Sequence, residues 1–268
     1  MRLNVVETGP MTGQPIIFIH GLSQSAYAWS GQLDGTPLSA FRTISFDLRG
    51  HGESDKPVDP ESYTTSDLWA DDLQSIILEL QLDFPVVVAW SYGGCVVADY
   101  LRKYGDAALG GICFVSALTK LGVPDAARFL GDGLVKLVPG LLSSDAATSV
   151  QALESFVIAC TAKTPDVCQM YEILGYNVST PPSTRVGVFS RVVDNDEILS
   201  SIIKPVLVIH GDADRILLPV ASNHISTLVK HAISKSYDLS GHMPFSEQPD
   251  RFNADLAYFV DECTSLFG

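Results

Sequence analysis

The most informative segment of this sequence is Pro85-Val86-Val87-Val88-Ala89-Trp90-Ser91-Tyr92-Gly93-Gly94. Its first half is apolar and rich in β-branched valine, which predicts a strand buried on both faces of a parallel sheet. The residues that follow, from Val96 to Lys103, indicate a helix. A serine on a tight turn between a strand and a helix is typical of a nucleophile elbow. We therefore predict that the Ser91 hydroxyl is exposed at the carboxyl edge of a sheet.

The elbow pattern G-x-S-x-G needs small residues two positions before and after the serine, because the turn brings these backbones together. Gly93 meets this need on one side, and Ala89 stands where the pattern has its first glycine. The alternatives are a serine in an ordinary strand-to-helix loop and a serine that caps the N-terminus of the helix. The rest of the chain must supply a base, an acid and an oxyanion hole.

Other apolar runs have the same character as the segment before Ser91. They are Pro15–Leu22, Phe41–Asp47, Gly110–Ala117 and Pro205–Ile209, with a helical pattern between Thr65 and Leu82. Strands that alternate with helices predict an α/β fold with a mostly parallel central sheet and helices on both faces. Such sheets bind ligands beyond the carboxyl ends of their strands. His20-Gly21 and Ser91 should both lie at that edge.

The strand pattern stops near Thr119 and returns near Lys204. Helical stretches replace it, around Pro124–Val138, Ala146–Thr161 and Val167–Leu174. We predict an α/β core formed by residues 1–118 and 204–268, with residues 119–203 inserted as a helical cap over the sheet edge. The apolar cap residues at helical spacing, and so the candidates for a pocket above Ser91, are Phe129, Leu130, Leu134, Leu137, Leu141, Leu142, Phe156 and Val157.

Composition narrows the partners and the compartment. The net charge of −14 argues against nucleic acid and against anionic membrane surfaces as partners. We see no signal peptide and no apolar run of about 18 residues, so we expect a cytoplasmic protein. The five cysteines are odd in number and lack metal-ligand spacing, so we expect free thiols, with pairing of Cys160 and Cys168 left open. No metal and no cofactor is implied.

Six histidines compete for the role of base. His20 is better suited to shaping the Gly21 turn, whereas His242 lies in a loop after the last predicted strand, Ser234–Leu239, and could reach Ser91. Asp212 and Asp214 both follow a buried strand, and either gives the chain order Ser, Asp, His that this arrangement needs. The oxyanion hole needs two backbone N–H groups, which Tyr92 and Leu22 can supply.

Together these residues resemble the α/β-hydrolase superfamily, and most closely its small bacterial esterases related to cofactor-free haloperoxidases. The matching segments are His20–Leu22, Phe46–Ser54, Ala89–Gly94, His210–Arg215 and Gly241–Pro244. The resemblance implies Asp214, rather than Asp212, as the acid, and it implies Leu22 and Tyr92 as oxyanion donors. Ala89 in place of glycine departs from the family pattern and bears on the tightness of the elbow.

The resemblance implies a serine hydrolase that cleaves a small-molecule carboxylic ester or lactone through an acyl-Ser91 intermediate. A serine at position 91 excludes haloalkane dehalogenases and epoxide hydrolases, which need a carboxylate there. Perhydrolysis as a side activity, carbon–carbon bond hydrolysis, hydroxynitrile cleavage and a small-molecule receptor with a vestigial triad remain alternatives, and a homodimer is left open. We expect His20, Trp90, Phe129 and Phe156 to contact the substrate.

Overall fold

The computed structural model of the protein describes residues 1–33 and 38–265. Its strands are β1 (Val5–Thr8), β2 (Pro15–Ile19), β3 (Arg42–Phe46), β4 (Val86–Trp90), β5 (Gly111–Val115), β6 (Lys120–Leu121), β7 (Val193–Asp194), β8 (Val206–Gly211) and β9 (Ile233–Tyr237). Seven strands of this described part form one sheet in the order β1-β3-β2-β4-β5-β8-β9. Only the β1–β3 pair in that sheet is antiparallel. The predicted α/β fold with a mostly parallel sheet is confirmed.

Helices surround this sheet. Their bounds are α1 (Ser30–Leu33), α2 (Glu61–Thr64), α3 (Ser66–Glu79), α4 (Gly93–Tyr104), α5 (Asp132–Val135), α6 (Val138–Leu141), α7 (Ala146–Cys160), α8 (Val167–Val178), α9 (Pro182–Phe189), α10 (Asp196–Ser200), α11 (Val220–Leu228), α12 (Pro244–Glu247) and α13 (Pro249–Ser265), with 3₁₀ turns at Ala26–Trp29 and Pro124–Phe129. Every residue of β2, β3, β4 and β5 is buried. Because alternate strand residues face opposite sides, the sheet is covered on both faces. None of the helices in the described ranges is long and apolar enough to cross a membrane.

The segment between β5 and β8 is mostly helical but differs from the expectation in three details. β6 and β7 form a two-stranded antiparallel sheet at its two ends, and strands of two residues are too short to show an alternating pattern. The helix expected over Pro124–Val138 is a 3₁₀ turn followed by the short helix α5 and the start of α6. Helix α9 begins at Pro182 and lies outside the three helical stretches expected from the sequence, and proline is well tolerated at the first position of a helix.

The strand register places the functional loops side by side. Ile19 pairs with Ala89 across β2 and β4, and Trp90 pairs with Val115 across β4 and β5. β8 pairs with β5 on one side and with β9 on the other. The loops after β2, β4, β8 and β9, here called the edge loops, therefore emerge at one edge of the sheet. They carry His20, Ser91, Asp214 and His242.

Candidate active site

Ser91 occupies a strained turn between β4 and α4. Its φ of 53° lies in the left-handed region, which non-glycine residues adopt only when the surroundings enforce it. Here the Ser91 N–H donates to the Val115 carbonyl at 3.0 Å, and the Ser91 carbonyl accepts from Leu118 N at 2.8 Å. Ala89 is fully buried in β4, so its methyl group is accommodated without loss of the turn.

Two glycines allow the neighbouring backbones to approach Ser91. A Cβ atom on Gly21 would lie 3.0 Å from Ser91 Cβ and 3.4 Å from Ser91 Oγ. A Cβ atom on Gly93 would lie 2.9 Å from the Ile19 carbonyl oxygen. The turn after β2 therefore lies directly against the serine, where an oxyanion hole is needed.

Asp214 and His242 are in direct contact. The His242 Nδ1–H donates to Asp214 Oδ2 at 2.7 Å, and both side chains are almost fully buried. Asp214 Oδ1 accepts from the backbone N–H groups of Ile216 and Leu217 at 2.8 and 3.0 Å. Burial alone would raise the pKa of Asp214, but His242 and His210 outweigh it and hold this pKa well below its usual range. Asp214 is thus a carboxylate that orients the imidazole of His242.

The other ring nitrogen of His242, Nε2, is buried and makes no hydrogen bond within the described part of the chain. An imidazole held through Nδ1 with Nε2 unoccupied has the arrangement of a general base. Asp212, by contrast, is exposed and accepts from the backbone N–H of Leu239 at 2.8 Å. The structure thus brings Asp214, and not Asp212, to His242.

A narrow apolar pocket opens at Ser91. The centre of a water-sized sphere can occupy about 40 Å³ of it. Ser91, Tyr92 and Leu22 line this pocket together, so both expected oxyanion donors lie beside the nucleophile. The other lining residues are Leu118, Leu121, Leu130, Leu134, Phe156, Val188, Phe189, Ile216 and Leu217.

Of the four residues expected to contact substrate, Phe156 lines the pocket and the other three are not among its lining residues. His20 is fully buried, accepts from Leu48 N at Nε2 (3.0 Å) and donates from Nδ1 to the Gly21 carbonyl (2.7 Å). Burial lowers the pKa of His20. These hydrogen bonds allow His20 to fix the turn that carries Leu22, the role that its position before Gly21 indicates.

Trp90 and Phe129 are directed elsewhere. The Trp90 indole N–H donates to the His242 carbonyl at 2.8 Å, with the two ring centroids 5.5 Å apart. Trp90 therefore packs against the loop after β9 that carries His242. Phe129 is buried with its ring 5.2 Å from that of His224 and with the Arg128 guanidinium 4.7 Å from its centroid. Phe129 lies in the 3₁₀ turn Pro124–Phe129. Because a 3₁₀ turn has three residues per turn, the α-helical spacing of 3.6 residues does not predict which way its side chains face.

No local sequence pattern marks the side chains that tie the cap segment (residues 119–203) to the site. Arg191 donates to the Tyr92 hydroxyl at 2.7 Å and to Asp99 Oδ2 at 2.6 Å, and the side chains of Arg191 and Asp99 are fully buried. Glu247 accepts from Gly241 N and Ala162 N, each at 2.7 Å. Arg191 and Asp99 lie 92 residues apart in the sequence, and Glu247 and Ala162 lie 85 residues apart. No local sequence pattern could therefore reveal these contacts.

A third tie joins α7 to the histidine and acid loops. His242 N donates to the Cys160 carbonyl at 2.8 Å. Arg215, which follows the acid, donates to the carbonyls of Ile158 and Thr161 at 2.9 and 3.1 Å. The helix that carries Phe156 into the pocket therefore ends on the two loops that hold Asp214 and His242.

The described side chains include no group of three or more His, Cys, Asp or Glu that could hold a metal ion. A strained serine at a strand-to-helix turn, a histidine–aspartate pair at the same sheet edge and a covering helical segment define an α/β hydrolase. The family model for the alpha/beta hydrolase fold matches residues 14–249. The chain belongs to this family.

Relatives cover almost the whole chain. The crystal structure of the esterase RhEst1 from Rhodococcus sp. ECU1013 is 32% identical, with a TM-score of 0.91 over 97% of this chain and 94% of that chain. A protein from Burkholderia cenocepacia, provisionally named an aryl esterase, is 36% identical with a TM-score of 0.93, over 98% and 95% of the two chains. The non-heme chloroperoxidase CPO-A1 of Kitasatospora aureofaciens is 27% identical over 270 residues, covering 93% of each chain.

Proposed function

We propose that this protein is a serine hydrolase that cleaves small carboxylic esters or lactones through an acyl-Ser91 intermediate. The observation that carries the proposal is the unoccupied, buried Nε2 of His242, whose Nδ1 is fixed to Asp214 at the sheet edge that carries Ser91. A serine hydroxyl becomes a nucleophile at neutral pH when such a base accepts its proton. The esterase relatives support the same chemistry.

In the first half of the reaction, Ser91 Oγ attacks the acyl carbon while His242 Nε2 accepts the hydroxyl proton. The negative charge that develops on the carbonyl oxygen is stabilised by the backbone N–H groups of Leu22 and Tyr92. Asp214 stabilises the imidazolium. His242 then gives its proton to the leaving alkoxide, and the alcohol departs. In the second half, His242 activates a water molecule that hydrolyses the acyl-enzyme and releases the acid.

The pocket favours a short acyl group. Pockets that take drug-sized ligands measure about 300–1,000 Å³, and the space at Ser91 is far smaller, at about 40 Å³. Its walls are almost entirely apolar side chains. We therefore expect acetyl and butyryl esters to react best and octanoyl esters to react poorly.

A panel of p-nitrophenyl esters from acetate to octanoate, run beside a panel of lactones, tests the proposal. The expected result is turnover of the short esters by the wild-type protein and none above background by Ser91→Ala. Equal rates in the two proteins would refute the role of Ser91. Turnover of lactones alone would restrict the proposal to lactonase activity.

Perhydrolysis is a second candidate, favoured by the chloroperoxidase relative. In this reaction hydrogen peroxide replaces water in attacking the acyl-enzyme, and the products are a peracid and free Ser91. Bromide oxidation in the presence of acetate ester and peroxide measures it. We expect a slower rate than ester hydrolysis and complete loss in Ser91→Ala, whereas persistence in that variant would exclude the shared intermediate.

A further inference from the structure

The candidate acid contacts a second histidine besides His242. His210, in strand β8, is buried and its Nε2 lies 3.1 Å from Asp214 Oδ2. This is the same carboxylate oxygen that accepts the Nδ1–H of His242 at 2.7 Å. Two imidazoles therefore converge on one oxygen atom.

The other contacts of His210 fix which nitrogen carries its proton. Nδ1 lies 2.6 Å from the Ser222 hydroxyl, and Nε2 lies 2.9 Å from the Leu217 carbonyl. A proton on Nδ1 alone would leave the Nε2 lone pair facing two acceptor oxygens, which repel it. The Ser222 hydroxyl can donate to Nδ1 instead, since a hydroxyl is both donor and acceptor. Nε2 therefore carries a proton, which it donates to the Leu217 carbonyl while lying 3.1 Å from Asp214 Oδ2.

We propose, on the basis of the function proposed above, that His210 is a positioning residue that orients the Asp214 carboxylate. Its N–H group beside Oδ2 and the two backbone hydrogen bonds to Oδ1 hold the plane of the carboxylate without help from His242. This matters because His242 gains and loses a proton in each half-reaction, so its own bond to Asp214 changes strength. A carboxylate that is also fixed by contacts other than His242 keeps His242 aimed at Ser91 throughout.

Two substitutions of His210 distinguish the role of Nδ1 from the role of Nε2. His210→Asn places an amide near the Nδ1 position, beside Ser222, and removes the donor to Asp214. His210→Gln places its amide nitrogen near the Nε2 position and restores that donor. Since a hydrogen bond to a charged group is involved, we expect His210→Asn to lower kcat about tenfold with KM within about twofold. We expect His210→Gln to recover kcat to within about threefold of wild type.

His224 provides a matched control. It forms a histidine–aspartate contact with Asp196, 2.8 Å between Nε2 and Oδ1, outside the pocket. His224→Asn should leave kcat and KM unchanged. Rates are expressed per active site, titrated with an organophosphonate, so that a loss of folded protein does not imitate a loss of kcat.

The decisive measurement is a double-mutant cycle of His210→Asn with Asp214→Asn. If His210 acts through Asp214, His210→Asn has no further effect on kcat once Asp214 is replaced. The same fold-loss of kcat in both backgrounds would overturn the inference, because it would show that His210 affects kcat independently of Asp214. A near-wild-type rate of Asp214→Asn would instead refute the proposed triad.

Nitrogen-15 NMR of the wild-type imidazoles gives a test that needs no variant. A proton on Nε2 of His210 is expected, and a neutral ring protonated at Nδ1 would overturn the inference.

Discussion

The two sides of the pocket at Ser91 are built in different ways. The edge loops carry the polar groups, and backbone hydrogen bonds fix them, as with Asp214 and the N–H groups of Ile216 and Leu217. The cap segment, residues 119–203, contributes apolar walls such as Leu134 and Phe156. We therefore propose that the edge loops set the chemistry and that the cap segment sets the size of the substrate.

The two sides are nevertheless joined at a few buried contacts. Arg191 reaches from the cap segment to Tyr92, and Glu247 links Ala162 of the cap segment to Gly241 of the histidine loop. Burial raises the pKa of Glu247. A cap held in this way can change its pocket residues without disturbing the edge loops, provided that these contacts remain.

The largest effect is expected at the nucleophile. Ser91→Ala should lower ester turnover by about 10⁴- to 10⁶-fold, because the attacking oxygen is lost. The thermal midpoint should change little, since the hydroxyl faces the pocket. Ser116 offers a matched control, because it follows the neighbouring strand β5 with a φ of 40° and is buried outside the pocket. Ser116→Ala should keep its rate within about twofold. A comparable loss in both variants would point to damage to the sheet edge.

The next effect separates two aspartates of one edge loop. Asp214→Asn should lower kcat about 10⁴-fold, because the imidazole loses the carboxylate that orients and stabilises it. Asp212→Asn should cost less than about threefold, since Asp212 is exposed and bonds only to a backbone N–H among the contacts described. Steady-state kinetics on p-nitrophenyl acetate measure both. The reverse ranking would place the acid at Asp212.

A smaller and more selective effect is expected in the cap. Phe156→Ala enlarges the pocket, so the ratio of kcat/KM for octanoate to that for acetate should rise by about 10- to 100-fold. Phe129→Ala removes an equally buried ring outside the pocket and should leave this ratio unchanged. Both changes should destabilise the fold by about 3–5 kcal/mol, so stability alone cannot produce the difference. If the octanoate-to-acetate ratio of kcat/KM were equal in the two variants, chain-length specificity would have to be set by the edge loops.

The smallest effect concerns the thiols, which are all free in the structure. Burial raises the pKa of Cys95 and of Cys263 to about 12, and burial also holds the pKa of Cys113 and Cys160 well above the usual range. Iodoacetamide at pH 8 should therefore modify the exposed Cys168 in the native protein and leave esterase activity unchanged. Peptide mass spectrometry measures the modification. Labelling of Cys160 would show that the end of α7 opens.

The sequence predicted the edge loops well because their signals are local. Apolar runs define the buried strands, and the small residues around Ser91 define its turn. The contacts that bind the loops together are not local, since Trp90 meets the carbonyl of a residue 152 positions away. Phe129 lies outside the pocket at Ser91, in a 3₁₀ turn where the sequence predicts an α-helix. His210 belongs to the segment His210–Arg215 that matches the family, and nothing in the spacing reveals that its side chain turns towards Asp214.

The most direct test of the central claim is to locate the nucleophile chemically. The native protein is treated with a fluorophosphonate, which reacts covalently with an activated serine, and is then digested for peptide mass spectrometry. One adduct per chain is expected, on Ser91, with loss of esterase activity in the same proportion, and no adduct is expected in Ser91→Ala. An adduct on another residue, or full inactivation of a protein whose Ser91 stays unmodified, would contradict it.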